Sequence, residues 1–285
     1  MKTIKLIDLS FLGQNSCSKF HSSKKITWNI TSSKDPKETI VFTDLCLNHA
    51  KLPQYRQNIK VGWLLEPFVI SPQNYQWIAQ NYQYFDLILS HHENFIKDMI
   101  NHGCKNIKYY PNDMCWVAEE DFQVYPKTKT CSIVASGKNW APGHKFRHDI
   151  IRHFIAKDIG DPSFDKLDIF GYGYNPVKLK AHALSDYRFS VVIENCIEDT
   201  YYSEKLIDCF VTGTVPIFWG TDKITQTFNH NGILTFRTIA DLDRILSESP
   251  ENLENLYMSM LPAIEDNFII AKDHLVAEDS FAEFL

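Results

Sequence analysis

The sequence predicts an α/β protein made of two Rossmann-like domains with parallel sheets. Short apolar runs alternate with amphipathic segments along the chain, a rhythm typical of βαβ units. The rhythm is interrupted once, at residues 124–130, where the polar segment VYPKTKT contains Pro126. The 285 residues, 44% of them hydrophobic, are enough for two separate cores. We therefore expect one sheet on each side of this interruption.

Residues 1–127 are predicted to form the first domain. Amphipathic spacing predicts helices near Tyr75–Tyr84 and Glu93–Asn101, and each precedes an apolar run. Strands are expected within TIKLIDL, ETIVFTDL, NIKVGWLL, FDLILS and NIKYYP.

Residues 128–261 are predicted to form the second domain, in which the same alternation restarts. Strands are expected within TCSIVAS, KLDIFGYG, YRFSVVI, TVPIFW and GILTF, and helices within KFRHDIIRHFIAK, EKLIDCFVTG and ADLDRIL. From about Pro250 the chain is predicted to be helical to its end. Two such domains are expected to face each other across a cleft, with ligands beyond the carboxyl ends of the strands.

The composition excludes several classes of function. A formal net charge of −6 disfavours nonspecific nucleic-acid binding, so an anionic ligand needs a local cluster of cations. The seven cysteines are scattered without a CxxC pair, which favours reduced thiols in a cytoplasmic protein. No run approaches the ~18 apolar residues of a transmembrane helix, and the first residues lack the apolar core of a signal peptide.

Charged and amide side chains stand where the apolar run 189–193 ends and the next helix begins. Glu194 and Asn195 follow the run directly, and Glu204 and Lys205 open the helical segment. Lys205 can meet a phosphate, Glu204 can accept two hydrogen bonds from a ribose cis-diol, and Asn195 suits a sugar or a diphosphate. The alternative is structural: Glu204 favours the helix dipole and Lys205 is solvated. The sequence leaves both interpretations open.

Two further features point to an anion at this edge of the predicted sheet. Thr200 or Ser203 is expected to cap the helix, which leaves backbone N–H groups available. In the loop and helix start after TCSIVAS, Lys138, Lys145 and Arg147 come before any carboxylate. Because cations at a helix N terminus oppose its dipole, this cluster favours an anion site over a solvated helix start.

A longer pattern lies within residues 187–220, where YRF, EN, YYSEKL and GTVPIFWG follow one another. It resembles the signature of the α1,3/4-fucosyltransferases, glycosyltransferase family 10: YKF-x-x-x-FEN, then Y-x-TEK-x-x-x-A, then G-x-VPV-x-x-G. The resemblance is strongest over residues 129–236. The chain departs from the pattern at Ile193, Ser203 and Cys209, where the family has Phe, Thr and Ala.

The resemblance implies a GT-B fold and an inverting transfer of fucose from GDP-fucose to a glycan hydroxyl, with no metal or other cofactor. It implies that Glu204 holds the ribose and that Lys205 and Arg147 hold the diphosphate. It also implies a C-terminal helix over residues 262–285 that packs back on the first domain. The full predicted donor-binding set is Arg147, Lys138, Glu194, Asn195, Tyr201, Ser203, Glu204 and Lys205.

Inversion needs a base that takes the proton of the acceptor hydroxyl. Glu66 ends the run VGWLLE, in a segment that resembles the family's Trp shortly before Glu-Ser-Pro, whose Glu is taken as the base. Desolvation at the edge of an apolar strand is expected to raise the pKa of Glu66 toward neutral pH. Asp44 and Glu93 are the alternative bases, and a Glu that only fixes the turn before Pro67 is the structural alternative.

Other functions stay open at this point. Asp241-Leu242-Asp243 has the spacing of a metal-binding Asp-x-Asp, but it begins ADLDRIL, where a charge pair at a helix N terminus is expected. No residue is seen to read the 6-position of the sugar, so fucose rests on the resemblance. The alternatives are a glycosyltransferase for another GDP- or UDP-hexose, and a noncatalytic nucleotide- or carbohydrate-binding module.

Overall fold

The computed structural model of the protein describes residues 1–11, 16–30, 35, 37–160, 167–198 and 200–284. The chain forms two compact units. The first comprises Met1–Met114, Glu198–Tyr201 and Val276–Leu285, and the second comprises Cys115–Ile197 and Tyr202–Leu275. The chain first passes from one unit to the other between Met114 and Cys115, whereas the sequence interpretation placed this change after residue 127.

Among the described residues, the first unit contains a six-stranded parallel sheet in the order β2-β1-β3-β4-β5-β6. Helix α1 (Pro72–Asn81) leads into β5, and α2 (Glu93–Asn101) leads into β6. The strands are β1 (Lys2–Ile7), β2 (Ile26–Asn29), β3 (Thr39–Thr43), β4 (Ile59–Leu64), β5 (Leu87–Ser90) and β6 (Ile107–Tyr109).

The second unit contains a parallel sheet in the order β11-β10-β9-β7-β8. Its strands are β7 (Lys129–Val134), β8 (Leu167–Phe170), β9 (Tyr187–Ile193), β10 (Val215–Trp219) and β11 (Leu234–Thr235). Its helices are α3 (Pro142–Gly160), α4 (Glu204–Phe210), α5 (Ile239–Leu246), α6 (Pro250–Ser259) and α7 (Leu261–Ala271). A last helix, α8 (Ala277–Phe281), belongs to the first unit.

The central strands are buried on both faces. In β3, Val41 packs on one side of the sheet with Val61 and Trp63, whereas Ile40 and Phe42 pack in a separate cluster on the other. Successive strand residues point to opposite faces, so this division follows from the period of two. Parallel sheets are covered on both faces, which explains the almost continuous apolar runs in these segments.

The structure confirms the predicted alternation of strands and helices. The single helix expected over residues 262–285 is instead divided into α7 and α8, and one strand was not predicted. Strand β2, with the sequence ITWN, was not predicted, because four residues carry too little periodicity to be recognised. Lys166, the first residue of the predicted strand KLDIFGYG, lies outside the described residues. In the part of the chain that the structure describes, no helix has the length and apolar character needed to span a bilayer.

A buried carboxylate holds α8 within the first unit. The side chain of Glu278 is 0% exposed. Its carboxylate accepts hydrogen bonds from Cys17 N at 2.8 Å, Trp28 Nε1 at 3.0 Å and Ser16 Oγ at 3.3 Å. The donors come from the first residues of the chain, so this carboxylate ties the last helix to the N-terminal part of the sheet.

We expect Glu278→Ala to lower the free energy of unfolding by about 3 kcal/mol, because it leaves buried donors without an acceptor. Chemical denaturation of the full chain measures this change. Glu283→Ala is the matched control, since Glu283 is 70% exposed and pairs only at 3.7 Å with Lys25. The control should change stability by no more than about 0.5 kcal/mol. Equal effects of the two substitutions would contradict the role given to Glu278.

Candidate active site

The predicted donor-binding residues of the second unit gather at the carboxyl end of its sheet. Ligands of parallel α/β sheets bind at this edge. The residues found there are Lys138 after β7, Arg147 on α3, Glu194 and Asn195 after β9, and Ser203, Glu204 and Lys205 at the start of α4.

Glu194 is the central group of this cluster. Its side chain is 0% exposed, and its carboxylate accepts from Ser203 N at 2.9 Å and from Ser203 Oγ at 2.9 and 2.8 Å. Lys205 Nζ donates to the same carboxylate at 3.1 Å and to Ser203 Oγ at 2.7 Å. A buried charge has to be paired and hydrogen-bonded, and these contacts meet that requirement. Glu194 therefore fixes the position of Lys205.

Ser203 occupies the N-cap position of α4, as one of the two sequence predictions had it. Its backbone is extended, but its side chain makes no capping hydrogen bond to the helix. The hydroxyl donates to the Glu194 carboxylate instead. The expected capping hydrogen bond between the Ser203 side chain and the helix backbone is therefore not formed, and that prediction is wrong. Glu194 also takes the N–H of Ser203, and the carboxylate thereby stands at the positive end of the helix.

Glu204 is an ionised carboxylate with two lysines beside it. Lys180 Nζ and Lys205 Nζ each lie 3.6 Å from Glu204 Oε1. Burial alone would raise the pKa of Glu204, but the two positive charges outweigh it and hold the pKa at about 2. The side chain is therefore a pure hydrogen-bond acceptor throughout the physiological pH range, which is the state needed to receive a diol.

Lys180 is a site residue that the sequence analysis missed. It forms ion pairs with Asp208 and Glu204, and its Nζ lies 5.3 Å from the centre of the Trp116 ring. Asp208 is 0% exposed and also accepts from Trp116 N at 2.7 Å. Burial would lower the pKa of Lys180, but the two carboxylates keep it above its usual range. The segment around Lys180 has no recognisable motif, and these contacts exist only in the folded chain.

Three cations act on the buried His144. Its side chain is 4% exposed, and burial followed by the charges of Arg147, Lys138 and Lys205 lowers its pKa to about 4. A hydrogen bond with the Asn195 side chain opposes this shift. The imidazole is therefore neutral at pH 7. Burial is the main cause of this low pKa, and the three cations add to it.

The start of α3 lies directly against the end of β9. Gly143 N donates to Asn195 O at 2.9 Å, and a Cβ at Gly143 would lie only 1.7 Å from Glu194 O. Only glycine allows the two backbones to approach this closely. One turn further along the helix, Arg147 Nη2 donates to Ile193 O at 2.6 Å. The glycine contact thus sets the position of Arg147 at the end of the strand.

Tyr201 belongs to the first unit, within the segment Glu198–Tyr201. Its side chain is buried, and its ring centre lies 5.2 Å from that of His91. Thr200, the other predicted cap of α4, donates through Oγ1 to His91 O and does not cap the helix. This part of the predicted site therefore belongs to the first unit.

Glu66 follows β4 at the carboxyl end of the first unit's sheet. Its backbone is held in place, because Glu66 O accepts from Tyr75 OH at 2.9 Å. The preceding residue, Leu65, donates its N–H to Asp44 Oδ1 at 3.1 Å. The side chain of Glu66 is exposed, so the expectation that the strand edge removes it from water is wrong. The Glu66 side chain therefore extends into solvent from a fixed backbone.

The two alternative bases have different surroundings. Asp44 is 4% exposed, and burial followed by the negative charge of Glu66 raises its pKa to about 7. Glu93 lies in the first turn of α2 and pairs with Lys97 at 3.6 Å. Asp44 therefore contacts the backbone beside Glu66, whereas Glu93 forms an ion pair within α2.

The Asp-x-Asp segment lies at the start of α5, as the sequence predicted. Asp241 accepts from Thr238 N at 3.0 Å and completes a capping box at the start of α5. Asp243 pairs with Lys157 on α3. Within the described ranges, no group of three or more His, Cys, Asp or Glu side chains is placed to hold a metal ion.

Solved structures share this architecture. A crystal structure of an α1,3-fucosyltransferase is 18% identical, with a TM-score of 0.57 over 99% of this chain and 88% of that one. An α1,3-fucosyltransferase structure with GDP is 16% identical, with a TM-score of 0.54 over 98% of this chain and 93% of that one. At such low identity the likeness shows the fold. The protein has the GT-B fold, built from two parallel α/β units.

Similarity in sequence covers a smaller part of the chain. An α-(1,3)-fucosyltransferase of Helicobacter pylori is 30% identical over 115 residues, which are 40% of this chain and 24% of that enzyme. The chain thus spans well under two thirds of the length of this relative. No family model matches the chain. The chain is similar to fucosyltransferases in sequence over part of its length and in fold over nearly all of it.

We expect Gly143→Ala to lower the free energy of unfolding by about 3 kcal/mol, because its Cβ has to displace the backbone at the end of β9. The loss should appear in urea denaturation even though alanine normally favours a helix. Gly137→Ala is the control, since a Cβ there meets nothing within 4 Å. Its effect should stay within about 0.5 kcal/mol. Equal stability of the two variants would mean that the contact between α3 and β9 relaxes freely.

Proposed function

We propose that the protein is a glycosyltransferase that transfers fucose from GDP-fucose to a glycan hydroxyl with inversion. The observation that carries this proposal is the placement of Arg147 and Lys205 at the carboxyl end of the sheet, with Lys205 Nζ 3.6 Å from the ionised Glu204. A nucleoside diphosphate presents an anion beside a ribose diol. Cations next to a buried carboxylate match that combination.

Each donor-binding residue has a role in this proposal. Arg147 and Lys205 bind the diphosphate, Lys138 adds a further positive charge, and Glu204 accepts the ribose hydroxyls. By analogy with the fucosyltransferase signature, we assign Asn195 and Tyr201 to contacts with the donor.

Glu194 and Ser203 have a positioning role in the same proposal. Both oxygens of the buried Glu194 carboxylate are already engaged by Ser203 and Lys205. Glu194 and Ser203 therefore orient Lys205.

The reaction is a single displacement. The acceptor oxygen attacks the anomeric carbon while the bond to the β-phosphate oxygen breaks, and that electron pair stays on the leaving GDP. Arg147 and Lys205 stabilise the charge that develops on the diphosphate. Glu66, from the first unit, takes the proton of the acceptor hydroxyl. Its exposed carboxylate, held on a fixed backbone, suits this task.

The choice of GDP-fucose rests on the sequence signature and on the similarity to fucosyltransferases, one of them solved with GDP. A transferase for another GDP- or UDP-hexose is the alternative donor choice, since no residue is assigned to the 6-position of the sugar. The alternative from another class is a noncatalytic module, which would bind a nucleotide without turnover.

Two further properties belong to the proposal. Transfer proceeds without a metal, because two protein cations stabilise the leaving diphosphate. The protein works in the cytoplasm, where its seven buried cysteines stay reduced.

We expect Arg147→Met to raise the Kd for GDP at least about tenfold, because a charge-assisted contact to the diphosphate is lost. Calorimetric titration with GDP measures this. Lys145→Met is the matched control: it removes the same charge from the same helix, at an exposed position. Urea denaturation shows that each variant is folded. Equal affinities of the two folded variants would contradict the assignment of Arg147 to the donor.

We expect Glu66→Gln to slow release of GDP from GDP-fucose by about 100-fold or more, because the base is lost, while the Kd for GDP stays unchanged. The assay uses a panel of disaccharide acceptors and also water alone. Glu93→Gln, the control, should keep wild-type activity. An active Glu66→Gln variant would overturn the base. A wild type that binds GDP but never releases it from GDP-fucose would favour the noncatalytic module.

A further inference from the structure

Asp44 stands in an unusual conformation at the carboxyl end of β3. Its φ angle is +28°, in the left-handed region that non-glycine residues rarely adopt. The side chain is 4% exposed, although Asp is among the residues least often buried. Such strain persists where the surrounding structure enforces it, and it is commonly found at functional sites. This strained carboxylate lies beside the segment that carries Glu66.

The contacts of Asp44 are directed at that segment. Its Oδ1 accepts from Leu65 N at 3.1 Å, and the backbone of Glu66 also donates a hydrogen bond to the carboxylate. Asp44 thus fixes the chain from which the Glu66 side chain extends. Among the described residues, the buried Asp44 Oδ2 has no hydrogen-bond partner. One oxygen therefore holds the backbone and the other is available to carry a proton.

The titratable groups that face Asp44 are mostly acidic. Glu66 follows β4, Asp8 follows β1, and the Cys46 thiol lies on the 3-10 helix that Asp44 begins. The carboxylate of Asp8 is engaged, since it accepts from Ser10 N at 2.9 Å and from the Thr43 hydroxyl. Among the neighbouring charges, that of Glu66 raises the pKa of Asp44 most. This effect of the Glu66 charge on the pKa of Asp44 is the reason to treat the two carboxyl groups as a pair.

We propose that Asp44 and Glu66 form a coupled carboxylate pair, in which buried Asp44 positions Glu66 and its negative charge makes Glu66 a stronger base. This inference rests on the transfer reaction proposed above. Asp44 does not touch the substrate and is a positioning residue. The proton of the acceptor hydroxyl moves to Glu66, and the fully ionised pair is the form that accepts it most readily.

The pair predicts a particular dependence on pH. Burial and the charge of Glu66 raise the pKa of Asp44 to about 7, so Asp44 becomes neutral as the pH falls through that value. Its help to Glu66 is present above that pH and is lost below it. Transfer by the wild type should therefore have an acidic limb near pH 7.

The first experiment compares wild type and Asp44→Asn by the pH profile of kcat/KM for GDP release from GDP-fucose. The asparagine keeps an oxygen for Leu65 N–H but carries no charge. We expect kcat/KM above pH 7 to fall about tenfold, and the limb to move at least about 1 pH unit lower. The Kd for GDP should not change. A uniform loss at every pH, with the limb in place, would show a purely structural role and overturn the proposal.

A second measurement does not depend on activity or on the stability of Asp44→Asn. Side-chain carboxyl NMR follows the titration of Asp44 in wild type and in Glu66→Gln, a substitution at an exposed position. We expect Asp44 to titrate at lower pH in the variant, because the neighbouring charge is gone. An unchanged titration would refute the pair even if Glu66 is the base. Full activity of Glu66→Gln would instead refute the proposed function and leave the measured coupling standing.

Discussion

The proposed donor site depends on one buried carboxylate. Glu194 joins three elements. It directly follows β9, its side chain holds the start of α4 through Ser203 and Lys205, and its carbonyl lies against Gly143 at the start of α3. A charge this deeply buried is tolerated only when its partners are complete. The same requirement that stabilises the carboxylate therefore positions the lysine. It also explains why polar residues directly follow an apolar strand.

The electrostatics of the second unit follow from that arrangement. Lys205 is held by Glu194 and also lies beside Glu204, where together with Lys180 it keeps the second carboxylate ionised. On the other side, Lys205 contributes to the positive potential that acts on His144. The site thus places an ionised carboxylate, which can only accept hydrogen bonds, beside several positive charges. The net charge of the chain does not indicate this combination, because it depends on which charged side chains meet at one edge of the sheet.

The sequence predicted what depends on local periodicity and on strand-end topology. The apolar runs gave the strands, and the rule that ligands bind beyond strand ends grouped Glu194 with Glu204 and Lys205. Lys180 could not be predicted, because it is remote from Glu204 in sequence and only folding brings the two side chains together. The buried and strained state of Asp44 was also out of reach, since it depends on the ends of β1 and β4. Tyr201 lies in the segment Glu198–Tyr201, which belongs to the first unit although the residues before and after it belong to the second. No local sequence pattern indicates this change from one unit to the other.

The most direct test of the account is thermal unfolding of the full chain with GDP, UDP, CDP and ADP, each with and without EDTA. A ligand at a hundred times its Kd stabilises by about 2.7 kcal/mol, which raises Tm by a few degrees for a protein of this size. We expect a shift with GDP alone that persists in EDTA. A shift with UDP alone, or one that EDTA abolishes, would contradict the donor assignment or its independence of metal. No shift with any nucleotide would contradict the nucleotide site itself.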